Sequence, residues 1–238
     1  MATERMLGII GGVGPESTAD YYRRLVHRWR ERGPDGTYPS ILLDSLNSKP
    51  ALDVLLEGHL APTVSLFDAS VARLAGAGAR LGLIASVMMH LAFDRVAATA
   101  PIPMLSIIDA LVDAAHAGGI RRPGVLAPRP TTEGEFFARP FEAAGIELVR
   151  PEQDDRAFVH EVYFGELVKG CFTDDTRLRL VHVIERMKTE HDIDAVILGG
   201  TELPLILREP TYAGLPVLDA TGVHVEAAID WLLGGPDP

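Results

Sequence analysis

Short runs of aliphatic and β-branched residues alternate along this chain with longer amphipathic stretches, and that alternation constrains the fold more than any other feature. It is the pattern of βαβ units, in which helices cover parallel strands buried on both faces. Strands are expected at Met6–Ile10, Ser40–Asp44, Arg80–Ala85, Met104–Ser106, Gly124–Leu126, Ile146–Val149, Ala195–Leu198 and Pro216–Leu218. Helices should follow near Glu16–Arg32, Pro62–Ala75, Leu91–Thr99, Ile107–Ala117, Glu133–Ala144, Asp155–Val168, Asp174–Glu190 and Gly222–Leu233. The stretches "RWRERGPDGTYPS" and "APIPM" read as loops from their Pro and Gly content.

A weak internal repeat adds to this. Gly8-Ile9-Ile10-Gly11 aligns with Gly124-Val125-Leu126-Ala127 at an offset of 116, and Tyr21 then falls on Phe137. "LGLIASVMMH" aligns with "AVILGGTELP" at an offset of 114, and Ser86 falls on Gly200. Two strand–turn–helix pairs at nearly constant offset imply two similar α/β lobes. Strand-end turns in such folds collect ligands, because helix N-termini present free N–H donors and a positive dipole end. An anion, most simply a carboxylate, is the natural guest.

Composition narrows the function classes. No apolar run reaches the roughly 18 residues that cross a bilayer, and "MATERMLG" lacks the layout of a secretory signal. The single cysteine, Cys171, fits a reducing cytosol and reads as a small apolar filler. The net charge of −11 without a Lys/Arg stripe argues against nucleic acid. "RRLVHRWRER" reads as the solvated face of a helix. There is no His/Cys/Asp cluster at metal-ligand spacing, so no metal is expected. A soluble, cytoplasmic α/β protein acting on a small molecule is the expectation.

The string "GIIGGVGPEST" is not a dinucleotide fingerprint: Ser17 stands where the third glycine belongs, and Pro15 intrudes. Nor does Gly-Lys-Ser/Thr follow, so it is not a phosphate loop. With its continuation "GIIGGVGPESTADYYRRL", it resembles the opening of the aspartate/glutamate racemase family, cofactor-independent enzymes that invert the α-carbon of amino acids. The likeness continues in order through "ASVMMHLAFD", "PIPMLSIIDA", "TTEGEFF", "DDRAFVHEVYFGELVKG" and "LGGTELPLIL". It implies two pseudo-symmetric parallel-sheet α/β lobes with the active site between them, no cofactor, and a homodimer. The lobes are expected at 1–100 with 208–238, and at 101–207.

That family uses two cysteine thiols on opposite faces of the substrate carbon. Its first motif resembles Ala-Cys-Asn-Thr-Ala-His, where this chain has Ala85-Ser86-Val87-Met88-Met89-His90. Its second resembles Leu-Gly-Cys-Thr-Glu, where this chain has Leu198-Gly199-Gly200-Thr201-Glu202. Both thiols are replaced. The hydroxyl of Ser86 ionises far above a thiol and is a poor base without a partner. Ser86, His90 and Asp94 are spaced i, i+4, i+8, which would put them on one helix face. A helix N-cap is the plainer role for Ser86. Carboxylate or imidazole substitutes for the thiols are Asp44, His90 and Glu202.

By the same resemblance, Gly12 and Val13 form an open floor, Asn47 matches an asparagine of the family's site, and Thr131 and Thr132 fall where relatives bind the substrate carboxylate. Val87, Gly200 and Thr201 complete the lining. The arginine that aspartate-specific relatives carry after Asn47 is absent, and "NSKPALD" offers only Lys49. Three readings stand beside one another. The first is thiol-independent chemistry on a small amino or carboxylic acid: elimination, decarboxylation, addition or cyclisation. The second is racemisation or epimerisation by substitute bases, and the third is non-catalytic binding of a small acid.

Overall fold

The computed structural model describes residues 5–56 and 58–238. The chain divides into two compact units, Met1–Ser106 with His224–Pro238, and Ile107–Val223. The first holds strands β1 (Met6–Gly11), β2 (Ser40–Ser45), β3 (Leu81–Ile84) and β4 (Met104–Leu105), in the all-parallel order β2-β1-β3-β4. Its helices are α1 (Pro15–Arg32), α2 (Lys49–Leu56), α3 (Ala61–Gly76) and α4 (Phe93–Thr99). The second unit holds β5 (Pro123–Leu126), β6 (Ala195–Leu198), β7 (Thr211–Tyr212) and β8 (Leu215–Asp219), in the order β5-β6-β8-β7. Here β5, β6 and β8 run parallel and the short β7 pairs antiparallel. Its helices are α5 (Ile107–Ala117), α6 (Arg129–Thr132), α7 (Glu135–Ala143), α8 (Gln153–Gly165), α9 (Asp174–His191) and α10 (Leu203–Ile206). The final helix α11 (Ala220–Leu232) begins in the second unit and ends in the first.

The expected α/β architecture with two similar parallel sheets is present, and the repeat extends to strand register. Leu7 pairs with Leu81 and Ile10 with Ile84 in the first sheet. Pro123 pairs with Ala195 and Leu126 with Leu198 in the second, which are the same positions displaced by 116 and 114. The strand expected at Ile146–Val149 is reduced to one parallel bridge, Val149 to Gly124. It occupies the place that β2 takes beside Gly8 in the first sheet.

Each unit has its own apolar core. Leu7, Ile9, Leu81 and Leu83 pack with Tyr21 and Leu25 of α1 and with Val225, Ala228 and Ile229 of α11. Leu126, Val196 and Leu198 pack with Val159 and Val162 of α8 and with Leu180, Val183, Ile184 and Met187 of α9. Fully burying each such side chain is worth about 1.5–3 kcal/mol, which offsets the ordering of the strands.

Helix starts follow local chemistry. Gly14 caps α1 in extended conformation, Pro15 supplies the pre-set φ of the first turn, and Glu16 faces the positive dipole end. Arg30 and Arg32 occupy the opposite, negative end. The helix expected over 91–99 begins instead as a 3-10 turn, Met88–Ala92, before α4. The one expected over 133–144 is α7, Glu135–Ala143, and the extended Gly134 separates it from the short α6 that precedes it. Helix α2 lies outside the helices expected from the pattern. Residues 208–223, expected in the first lobe, belong to the second unit because β8 hydrogen-bonds to β6 and β7 to β8. Cys171, read as an apolar filler, is exposed in the turn after Gly170. No helix among the described residues is long and apolar enough to cross a membrane.

Candidate active site

In the first unit, β1 runs into Gly11-Gly12 and turns sharply. Gly12 has φ +80, and an added Cβ would lie 2.1 Å from the carbonyl oxygen of Leu46, so only glycine fits. Its N–H donates to Thr18 Oγ1 at 2.9 Å, and its carbonyl accepts from Ser48 Oγ at 2.8 Å. The turn therefore spends its polar groups on tying β1 to α1 and to the segment after β2. Val13 is half-buried beside it and Asn47 is exposed. Lys49 is also exposed, where it pairs with Asp53 at 2.7 Å.

Asp44, proposed as a base, is committed elsewhere. Its Oδ2 accepts from Ser70 Oγ at 2.7 Å and from the Arg73 guanidinium at 2.7 and 3.1 Å. The turn after β3 holds Ser86, whose Oγ accepts from the Met89 N–H at 3.5 Å, a long capping contact. Val87, Met88 and Met89 are buried. The Ser86–His90–Asp94 arrangement does not form, because the 3-10 turn between them destroys the helical spacing. His90 Nδ1 instead bonds the carbonyl oxygen of Ser86 at 2.8 Å, its ring stacks on Phe93 at 4.8 Å, and Asp94 is exposed.

A carbonyl accepts only, so Nδ1 of His90 carries the proton. Burial holds this imidazole down to about 4, against a smaller upward pull from the Ser86 carbonyl. His224 of α11 lies edge-on to it at 6.1 Å between ring centres. His224 Nε2 bonds the Leu105 carbonyl at 3.2 Å and its Nδ1 meets Tyr21 OH at 3.0 Å, so Nε2 donates and the phenol donates to Nδ1. Burial lowers His224 to about 3, and His90 adds to the effect while the Leu105 carbonyl opposes it. Two neutral, buried imidazoles are thus part of this unit's polar core, and neither is a strong base near neutrality.

In the second unit, β5 leads into α6, where Thr131 and Thr132 are buried. Thr132 Oγ1 bonds the Arg129 carbonyl at 3.3 Å. Thr131 Oγ1 has no hydrogen-bond partner among the described residues. The cap of α7 is Gly134, so neither threonine caps that helix. Thr221 Oγ1, at the start of α11 just after β8, is a second buried hydroxyl without a partner among the described residues. Buried hydroxyls normally find partners, and an unmet one marks a place for a ligand or water.

The turn after β6 is Gly199-Gly200-Thr201-Glu202. Glu202 is buried, and its Oε2 accepts from Tyr163 OH and from Thr201 Oγ1, the latter at 3.2 Å. Tyr163, from α8, lies against Gly200: an added Cβ there would sit 2.5 Å from Cε2, 3.1 Å from Cζ and 3.2 Å from the phenol oxygen. Burial, followed by the charge and hydrogen bond of Glu202, raises the Tyr163 phenol well above its ordinary value, so it stays protonated. Glu202 and Thr201 were legible in the sequence. Tyr163 and His224 were not, since a tyrosine or histidine on an amphipathic helix carries no signal of a distant partner. A cavity of about 490 Å³ also lies in this unit, among Phe172, Asp174, Arg177, Leu205, Arg208 and Tyr212, and contains none of the residues chosen from sequence. Among the described residues no His/Cys/Asp/Glu group is placed to hold a metal ion.

The chain is similar over 96% of its length to the crystal structure of a candidate Asp/Glu racemase from Yersinia pestis, which it covers to 99%, with 29% identity and a TM-score of 0.86. It is 30% identical to an aspartate racemase homologue from Pyrococcus horikoshii OT3, covering 96% of this chain and 99% of that one at a TM-score of 0.82. Picrophilus torridus aspartate racemase shares the fold at 21% identity, with coverage of 98% and 96% and a TM-score of 0.75. The Asp/Glu/Hydantoin racemase family pattern matches residues 10–228. With most of its length matched and the strand-end turns in register, the chain belongs to the Asp/Glu/Hydantoin racemase family.

Proposed function

We propose that the protein binds a small amino or carboxylic acid and acts on it by thiol-independent, one-base chemistry: elimination, decarboxylation, addition or cyclisation rather than two-base racemisation. The observation that carries this reading is the set of groups left to serve as bases. Asp44 is tied to Ser70 and Arg73, His90 is a neutral buried imidazole, the Ser86 hydroxyl meets only the Met89 N–H among the described residues, and Gly200 has no side chain. Of the candidate bases Glu202 remains, a buried carboxylate oriented by two hydroxyls. One base removes a proton from one face of a carbon. Inversion also needs an acid on the other.

The hydroxyl protons of Tyr163 and Thr201 point to Glu202, so this turn offers a ligand acceptors and negative charge. That favours an ammonium group at Glu202. The unmet hydroxyl of Thr131 is the better partner for a carboxylate. Together they favour an amino acid over a plain acid. The family's isomerase-type relatives support an enzyme, while the shortage of bases supports non-catalytic binding as the second reading.

The test is incubation with L-aspartate, L-glutamate and apolar L-amino acids in deuterated water, beside a thermal-shift panel of small amino and carboxylic acids. The expected result is stabilisation by at least one acid without α-deuterium incorporation coupled to enantiomer formation. Losing two acid–base groups removes about 10²–10⁴-fold each, which takes racemisation to background. Rapid exchange with racemisation overturns the one-base reading. Stabilisation with no reaction of any tested acid selects the binding protein.

A further inference from the structure

We propose that Tyr163 replaces the missing side chain of position 200, its ring filling that side chain's volume and its phenol positioning Glu202. This rests on the reading of the Gly199–Glu202 turn as ligand-facing.

Three observations converge. Glycine at 200 is not required by backbone conformation, because its φ is not positive. It is required by space, since the first atom of any side chain would stand 2.5 Å from Tyr163 Cε2. The ring cannot retreat readily, because Tyr163 belongs to the packed core with Leu198, Val159 and Leu203, and its hydroxyl is tied to Glu202. Residue 200 and residue 163 are therefore a matched pair. Shrinking the first to hydrogen admits the aromatic ring of the second, and the phenol oxygen ends 3.2 Å from where a Cβ would be.

The consequence is a change of chemistry at one point. A thiol there would ionise near neutrality and serve as a base. The buried phenol remains protonated and gives its hydrogen to Glu202, so the carboxylate is the group that faces a ligand and Tyr163 is a positioning residue. The exchange also explains why a thiol restored at 200 alone would not restore the family's geometry: its path is blocked by the ring.

The test is a double-mutant cycle, read by thermal unfolding of the full chain without ligand. Gly200→Ala in the wild-type background is expected to lower Tm by about 5 °C or more, because overpacking a close-packed site forces neighbours apart. In a Tyr163→Ala background the same change should cost nothing or raise Tm. Equal losses in both backgrounds overturn the pairing. The phenol is followed separately by the ring-carbon NMR resonance that disappears in Tyr163→Phe. It should remain unshifted through the pH range near 10 where exposed tyrosines ionise, and in Glu202→Gln the onset of its titration should move to lower pH while burial still holds it above the exposed tyrosines. A resonance that titrates with the exposed tyrosines and ignores Glu202→Gln overturns the positioning role. Neither measurement uses a ligand, so failure of the acid panel would refute the proposed function and leave this pair standing.

Discussion

The two buried imidazoles of the first unit make a specific demand on stability. In the unfolded chain each ionises near 6.5, whereas in the fold His90 is held down to about 4 and His224 to about 3. Above 6.5 both states are neutral and neither residue makes stability depend on pH. Below it the unfolded chain takes up protons that the folded chain refuses, so stability falls with pH until the folded values are reached. Each pH unit in that window is worth about 1.4 kcal/mol per group. Between pH 7 and pH 5 each imidazole therefore removes about 2 kcal/mol, and the two together about 4 kcal/mol. That is a large share of the roughly 5–15 kcal/mol that holds a typical domain. His224→Gln isolates one of them, because a carboxamide can still accept from Tyr21 OH and donate to the Leu105 carbonyl without titrating. Urea unfolding followed by circular dichroism at pH 7, 6 and 5 should show the variant losing about 2 kcal/mol less than wild type across that range. The remaining histidines are common to both proteins, so the difference between them reads His224. Parallel pH dependences for wild type and variant would refute the account of His224 as a neutral core imidazole.

Other expectations are as direct. Gly12→Ala places a methyl against the Leu46 carbonyl at φ +80, and denaturant unfolding should show a loss of at least about 2 kcal/mol. Thr131→Val removes a buried hydroxyl that has no partner, so the free protein should be unchanged or stabilised by up to about 1 kcal/mol. In the same variant the thermal shift from a stabilising small acid should fall by half or more; an unaltered shift would remove Thr131 from the carboxylate site. Arg73→Ala breaks a pair whose arginine is more than half exposed, and Tm should move by no more than a few degrees.

Much of this molecule was legible in one dimension. The alternation of apolar runs and amphipathic stretches determined the parallel α/β class, because strands buried on both faces must be apolar throughout and need covering helices. The two offsets between repeated segments pointed to two similar lobes, and the structure extends that likeness to strand register, since equal spacing from strand to turn places equal positions opposite one another. The motif strings also located the turns after β1, β3, β5 and β6, and the replacements at Ser86 and Gly200 were visible as letters. What those letters do was decided by contacts across the chain. Asp44 ceased to be a candidate base through an arginine 29 residues away. The Ser86–His90–Asp94 spacing implied a helix face that a 3-10 turn removes, and His90 became neutral through burial beside α11. Residues 208–223 joined the second unit through the pairing of β8 with β6, which no local pattern announces. Gly200 looked like a deletion and is one half of an exchange whose other half, Tyr163, is 37 residues earlier. Sequence periodicity reports which face of an element is buried, while proton location and steric complementarity depend on atoms that only the folded chain brings within a few ångströms of each other.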